Sequence, residues 1–176
     1  MHVSRKLPSA RIVHLVTLAF VALALALIAP HEAHAAPRST NAAEAAQLRT
    51  INRFRVAHHL PRLRLDAHLS KTAAWHARDM GVRNYFSHTD SVRRDPFQRM
   101  LAFGYPLVRA RGENLAAGNA SVPATFRQWL NSPPHRAVLM TPYYHAIGIA
   151  RVYVPGSTYG WYWVTDFGSS YFSSPA

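Results

Sequence analysis

Three side chains in the middle of this chain are of types that do chemistry, and a fourth lies among them. His88 stands in Tyr85-Phe86-Ser87-His88-Thr89, Glu113 in Gly112-Glu113-Asn114, and Ser132 and His135 in Trp129-Leu130-Asn131-Ser132-Pro133-Pro134-His135-Arg136. Near neutral pH an imidazole can carry a proton or offer a lone pair, and a carboxylate beside it can orient the ring, balance a cation or accept a proton. Each of these residues has a turn former close by, so folding is expected to gather His88, Glu113, Ser132 and His135 into one polar cleft. The plainer role for the histidines is hydrogen bonding within turns. Glu113 could instead pair with Arg111 or Arg136. Ser132 lies three residues before His135, but no orienting acid accompanies it, so it reads as a helix cap rather than a nucleophile. Asn114 reads as a residue that bonds backbone. Cysteine is absent, which excludes a thiol nucleophile, a thiolate metal site and disulfides.

The elements that must position these residues follow from caps and periodicity. Asn41 can cap a helix to about His58, with Ala46, Leu48, Ile51, Phe54 and Val56 as an approximate apolar stripe. Pro61 then imposes an extended connector through Leu65. Asp66 opens a second helix to about Asn84, in which Leu69, Ala73, His76 and Met80 recur on one face and Ala74 and Ala77 permit close contact. A short helix from Asp95, with Phe97, Met100 and Leu101 turned inward, stops at Gly104. Ser121 or Pro123 starts a helix through Leu130, and Pro133-Pro134 starts another turn or two towards Met140.

The period then changes. Residues 146–154 and 159–168 read as strands joined through Pro155-Gly156-Ser157. Trp161, Trp163 and Phe167 alternate on one strand face and, with Trp129, Tyr143 and Tyr144, are assigned to the core. His58, His59, His68, His76 and His145 read as surface or packing histidines, and Asp90 and Asp166 as loop and strand-end residues. Helices first and strands last predict an α+β domain with a small antiparallel sheet.

Around that domain, residues 1–35 read as a secretory signal: Arg5, Lys6 and Arg11 precede an apolar run to Pro30, and Ala33-His34-Ala35 offers a cleavage site before Ala36. Roughly 18 apolar residues would also make a marginal membrane anchor, which is the competing reading. Export to the periplasm or the medium is expected. Residues 36–42 then form a flexible leader, 43–168 the domain, and 169–176 a tail. The formal charge of +12 falls to about +10 once Arg5, Lys6, Arg11 and Glu32 are removed. Nearly all of it is arginine, which favours anionic lipid headgroups or cell-envelope polymers as neighbours, with a solvated face as the plain alternative. The basic residues are scattered with no nucleic-acid motif, which argues against nucleic acid. A small basic domain is most simply a monomer.

The segments Tyr85-Phe86-Ser87-His88-Thr89, Gly112-Glu113-Asn114-Leu115-Ala116, Trp129 to Arg136 and Ala146-Ile147-Gly148-Ile149-Ala150 resemble the CAP superfamily, also called the SCP/PR1 or allergen V5 family, in its short cysteine-free bacterial branch. The resemblance covers about residues 43–168. It implies an α-β-α sandwich around a central antiparallel sheet, with a further strand near Glu113 to Ala117. It also implies a cleft of two histidines and acids that in some members holds a divalent metal, often zinc. His88 and His135 match the two histidines and Glu113 the first acid; Ser132 stands where eukaryotic relatives carry a second glutamate. Serine can neither balance a dication nor act as a carboxylate base. The resemblance therefore implies a binding module whose metal ligands would be His88 and His135. Two alternatives stay open: a zinc-dependent hydrolase with Glu113 as its catalytic base, and a binder of small apolar ligands such as lipids or sterols.

Overall fold

A computed structural model of the chain describes residues 41–106 and 108–171. The expected signal, residues 36–40 of the leader and residues 172–176 of the tail lie outside them. The elements run α1 (Ala42–Ala57), β1 (Arg64–Leu65), α2 (Ala67–Val82), α3 (Pro96–Ala102), β2 (Arg111–Ala117), α4 (Val122–Leu130), α5 (Pro133–Met140), β3 (Ala146–Tyr153) and β4 (Trp161–Gly168). Capping residues fix most helix starts. Asn41 and Glu44 form a reciprocal capping box, as do Asp95 and Gln98. Asp66 accepts from the backbone N–H groups of His68 and Leu69 at 2.9 and 3.1 Å. Such a cap contributes about 1 kcal/mol.

The four strands are ordered β1-β3-β4-β2. β4 pairs antiparallel with β3 on one side and β2 on the other, whereas β1 runs parallel to β3, with Arg64 opposite Ala146. The expected purely antiparallel sheet thus gains a parallel edge. The stretch after Pro61 is already extended, and there the Arg64 N–H reaches the His145 carbonyl (2.9 Å) and the Asp66 N–H that of Ile147 (3.0 Å).

Alternation along the strands sends side chains into two layers. On one face Leu115, Ala150, Tyr162 and Val164 pack on Ala73, Ala77 and Met80 of α2. On the other, Ala116, Ile147, Ile149, Trp163 and Phe167 meet Ile51 of α1, Trp129 of α4 and Leu139 of α5. The result is an α-β-α sandwich. α2 lies so near the sheet that a Cβ on Gly148 would come within 2.0 Å of the Leu69 carbonyl carbon and 2.3 Å of the Ser70 nitrogen.

Some expected core positions face water. In α3 Met100 is buried, but Phe97 and Leu101 are 40% and 49% exposed, because the inward side of this short helix is given to Arg99. Tyr143 is 60% exposed, while Tyr144 is buried and donates to the Arg111 carbonyl. Val56 of the expected α1 stripe is likewise exposed, and that helix instead buries Glu44, Gln47, Asn52 and Arg55 beside Ile51. Arg55 donates to the carbonyls of Pro61, Leu139, Thr141 and Tyr144 at 2.8–3.1 Å, tying α1 to the α5–β3 connection. Burial pulls its pKa down, and the carbonyl oxygens satisfy the charge in place of a carboxylate.

Candidate functional site

β2 is an edge strand, and that position governs the site. Glu113 points to the α2 layer, and its neighbour Asn114 to the α4–α5 layer. Glu113 holds the His88 ring and Asn114 the backbone of His135. His88 Nδ1 lies 2.7 Å from Glu113 Oε1. A carboxylate can only accept, so Nδ1 carries the hydrogen and the neutral ring keeps its lone pair on Nε2. On the other layer the Asn114 amide donates to the backbone carbonyl of His135 (3.0 Å) in the first turn of α5. Trp129 fixes α4 on the same strand by donating to the Leu115 carbonyl (2.8 Å).

Glu113 is buried, and its second oxygen pairs with the buried guanidinium of Arg99. Burial alone would raise the pKa of this carboxyl, but the His88 hydrogen bond and the Arg99 charge outweigh it and hold Glu113 ionised. Arg99 also donates to the His88 carbonyl (3.1 Å) and lies 3.9 Å from Asp90. Removing one partner of such a buried pair typically costs about 3–5 kcal/mol.

The loop bearing His88 is tied down along its length. His76 Nε2 donates to the Ser87 carbonyl (2.9 Å). Asp79 accepts from the Tyr85 hydroxyl, the Ser91 N–H (3.0 Å) and the Ser91 hydroxyl (2.7 Å). Asp90 accepts from the backbone of Val92 and Arg94 and from the Arg94 side chain. Burial pushes His76 down to about 4, with Arg99 adding to the effect and Glu113 and the Ser87 carbonyl partly offsetting it. This ring is therefore neutral at pH 7. His135 is also held below the ordinary imidazole range, first by burial and then by the charge His88 carries when protonated.

The structure joins His88 directly to Glu113, and Asn114 of the same strand holds the His135 backbone. Ser132 occupies the N-cap position of α5, but its side chain makes no capping hydrogen bond. Glu113 pairs with Arg99 rather than with Arg111 or Arg136. His76 packs inside α2 and Asp90 sits in the loop before α3, both buried at the His88 loop, while Asp166 lies buried within β4 and faces Glu113 across the strands. Asp166 had one sequence signal, since it shares a strand face with Tyr162 and Val164, where a charge needs a partner. Arg99 had none.

The fold agrees with that of known proteins of solved structure. The chain belongs to the CAP (cysteine-rich secretory protein) family, which matches residues 48–167, although this member has no cysteine. The Bacillus subtilis (strain 168) protein YkwD is 34% identical over 117 residues, 66% of this chain and 45% of its own length. Membrane protein YlbC of the same strain is 36% identical over 104 residues, 58% of this chain and 30% of its own. The chain therefore spans less than half the length of either relative. An outer surface protein from Borrelia burgdorferi superposes with a TM-score of 0.67 at 25% identity, over 74% of this chain and 95% of that one. An extracellular SCP-domain protein from Bacillus anthracis str. Ames gives a TM-score of 0.61 at 27% identity, over 72% and 41% of the two chains.

Proposed function

We propose that this protein is an exported CAP-domain binding module, working at the cell envelope or outside the cell, whose cleft takes a divalent metal such as zinc on His88 and His135. The observation that carries this reading is the 2.7 Å bond from His88 Nδ1 to Glu113. It leaves the Nε2 lone pair of a half-exposed ring available, while burial favours the neutral form of the His135 imidazole. A carboxylate behind a histidine is also the arrangement that raises ligand basicity at metal sites. Among the described residues no three His, Asp or Glu gather as a metal cage. The protein would thus supply two imidazoles and leave the other positions to water or a ligand. Bound zinc would contribute Lewis acidity.

Binding is preferred over hydrolysis because both Glu113 oxygens are already engaged by His88 and Arg99. A general base must reach the proton it takes. The outer-surface and extracellular structural neighbours, and the relative named as a membrane protein, support an envelope or external location. Calorimetric titration of the protein with zinc near neutral pH tests the reading. One saturable site is expected, and it should be lost in the His88→Ala, His135→Ala double variant. Absence of binding, or equal binding by the double variant, would overturn it.

A further inference from the structure

Serine at position 132 leaves the cleft short of an acid, yet a carboxyl group stands behind Glu113 and has no part in the reading above. Asp166 is directly opposite Glu113 in the β2–β4 register. Residues paired in this way project from the same face of the sheet, with Cβ atoms about 4.5–5.5 Å apart. On its other side Asp166 faces Gly148 of β3, which contributes no side chain. Asp166 is completely buried, and neither of its oxygens has a hydrogen-bond donor among the described residues. A carboxyl group so placed must be neutral or paired to persist. Arg99, whose charge acts on Asp166, is already paired with Glu113.

We propose that Asp166 is the second acid of this cleft, a carboxylic acid that keeps its proton at neutral pH and donates it in a hydrogen bond to Glu113, fixing the carboxylate that orients His88. It is a positioning residue, since it acts through Glu113. The charged and titratable groups around it support the division of roles. Glu113 projects beside it from β2 and the Arg99 charge acts on it from α3, while β3 offers only Gly148; His76 of α2 acts on Glu113, the other member of the pair. Burial raises Asp166 well above the ordinary carboxyl range, and the neighbouring Glu113 charge raises it further, with Arg99 opposing. Two carboxyl groups in one buried site hold a single proton between them, and Arg99 and His88 leave it with Asp166. The pair would then present one negative charge to His88 and any bound cation.

This inference deepens the cleft reading, but the proton's location is measured without metal. Carbon-13 NMR of the protein labelled at the aspartate Cγ should show one resonance with the shift of a neutral acid throughout pH 5–8, and it should vanish in Asp166→Asn. If every aspartate resonance is that of a carboxylate in this range, the proposal fails, whatever the zinc titration gives. The positioning role is read from nitrogen-15 shifts of the His88 ring. Asp166→Asn keeps an N–H donor towards Glu113 and should retain the Nδ1–H form, whereas Asp166→Leu should lose it. Retention of that form in the leucine variant would overturn the positioning role.

Discussion

At the scale of single residues, the candidate site separates groups that were legible in the sequence from groups that were not. His88, Glu113 and His135 stood out because each lies beside a turn former in a distinct motif. Arg99 and Asp166 did not, because a long-range partner leaves no local periodicity: Arg99 lies 14 residues from Glu113 and Asp166 meets it only through strand pairing. His76 was legible as an inward-facing position but not as a brace for the Ser87 carbonyl. Its burial has a measurable consequence. The folded-state value is about 4, against 6.5 in the unfolded chain, so between these pH values only the unfolded state takes up a proton on this ring. The contribution to stability is unchanged above pH 6.5, falls as the pH drops towards 4, and amounts to about 3 kcal/mol at most. Urea denaturation at pH 7 and pH 4.5 should show that loss, and His76→Gln should show less of it. Equal losses in the two proteins would refute a neutral buried His76.

At the scale of elements, the helix starts were the most legible features, because caps are local chemistry: Asn41, Asp66, Asp95 and Ser121 all occupy N-cap positions. The β3–β4 hairpin was legible for a similar reason. The parallel strand β1 was not, since two residues carry no period. The inward face of α3 was misassigned because hydrophobicity pointed to Phe97 and Leu101, whereas the buried acids draw Arg99 inside. The layer spacing depends on Gly148, where any side chain would collide with the backbone of α2 rather than with a movable side chain. Gly148→Ala is expected to cost about 2–4 kcal/mol in denaturant unfolding, as overpacking against rigid backbone does. Because α2 carries both His76 and Asp79, the same variant should also speed amide exchange in residues 87–91. A stability loss confined below about 0.5 kcal/mol would show that α2 can shift without cost.

At the scale of the whole molecule, the acids are spent inside. Of the seven Asp and Glu among the described residues, Glu44, Asp66, Asp79, Asp90, Glu113 and Asp166 are buried, leaving only Asp95 exposed. Exposed cations such as Arg49, Arg53, Arg62, Lys71, Arg78, Arg127 and Arg136 have few surface carboxylates to balance them. The surface is therefore more uniformly positive than the net charge alone conveys, which supports anionic lipid or envelope polymer as a neighbour. Vesicles containing phosphatidylglycerol should retain the protein at about 50 mM salt and release it by about 0.5 M, where the screening length is only a few ångströms. Equal retention on neutral phosphatidylcholine vesicles would sink the electrostatic account. Arg55 adds a different consequence. In a family named for its cysteines, this chain closes its fold around a guanidinium that grips four carbonyl oxygens, so its maturation requires neither an oxidant nor a disulfide isomerase, and thiol reductants should leave its refolding unchanged.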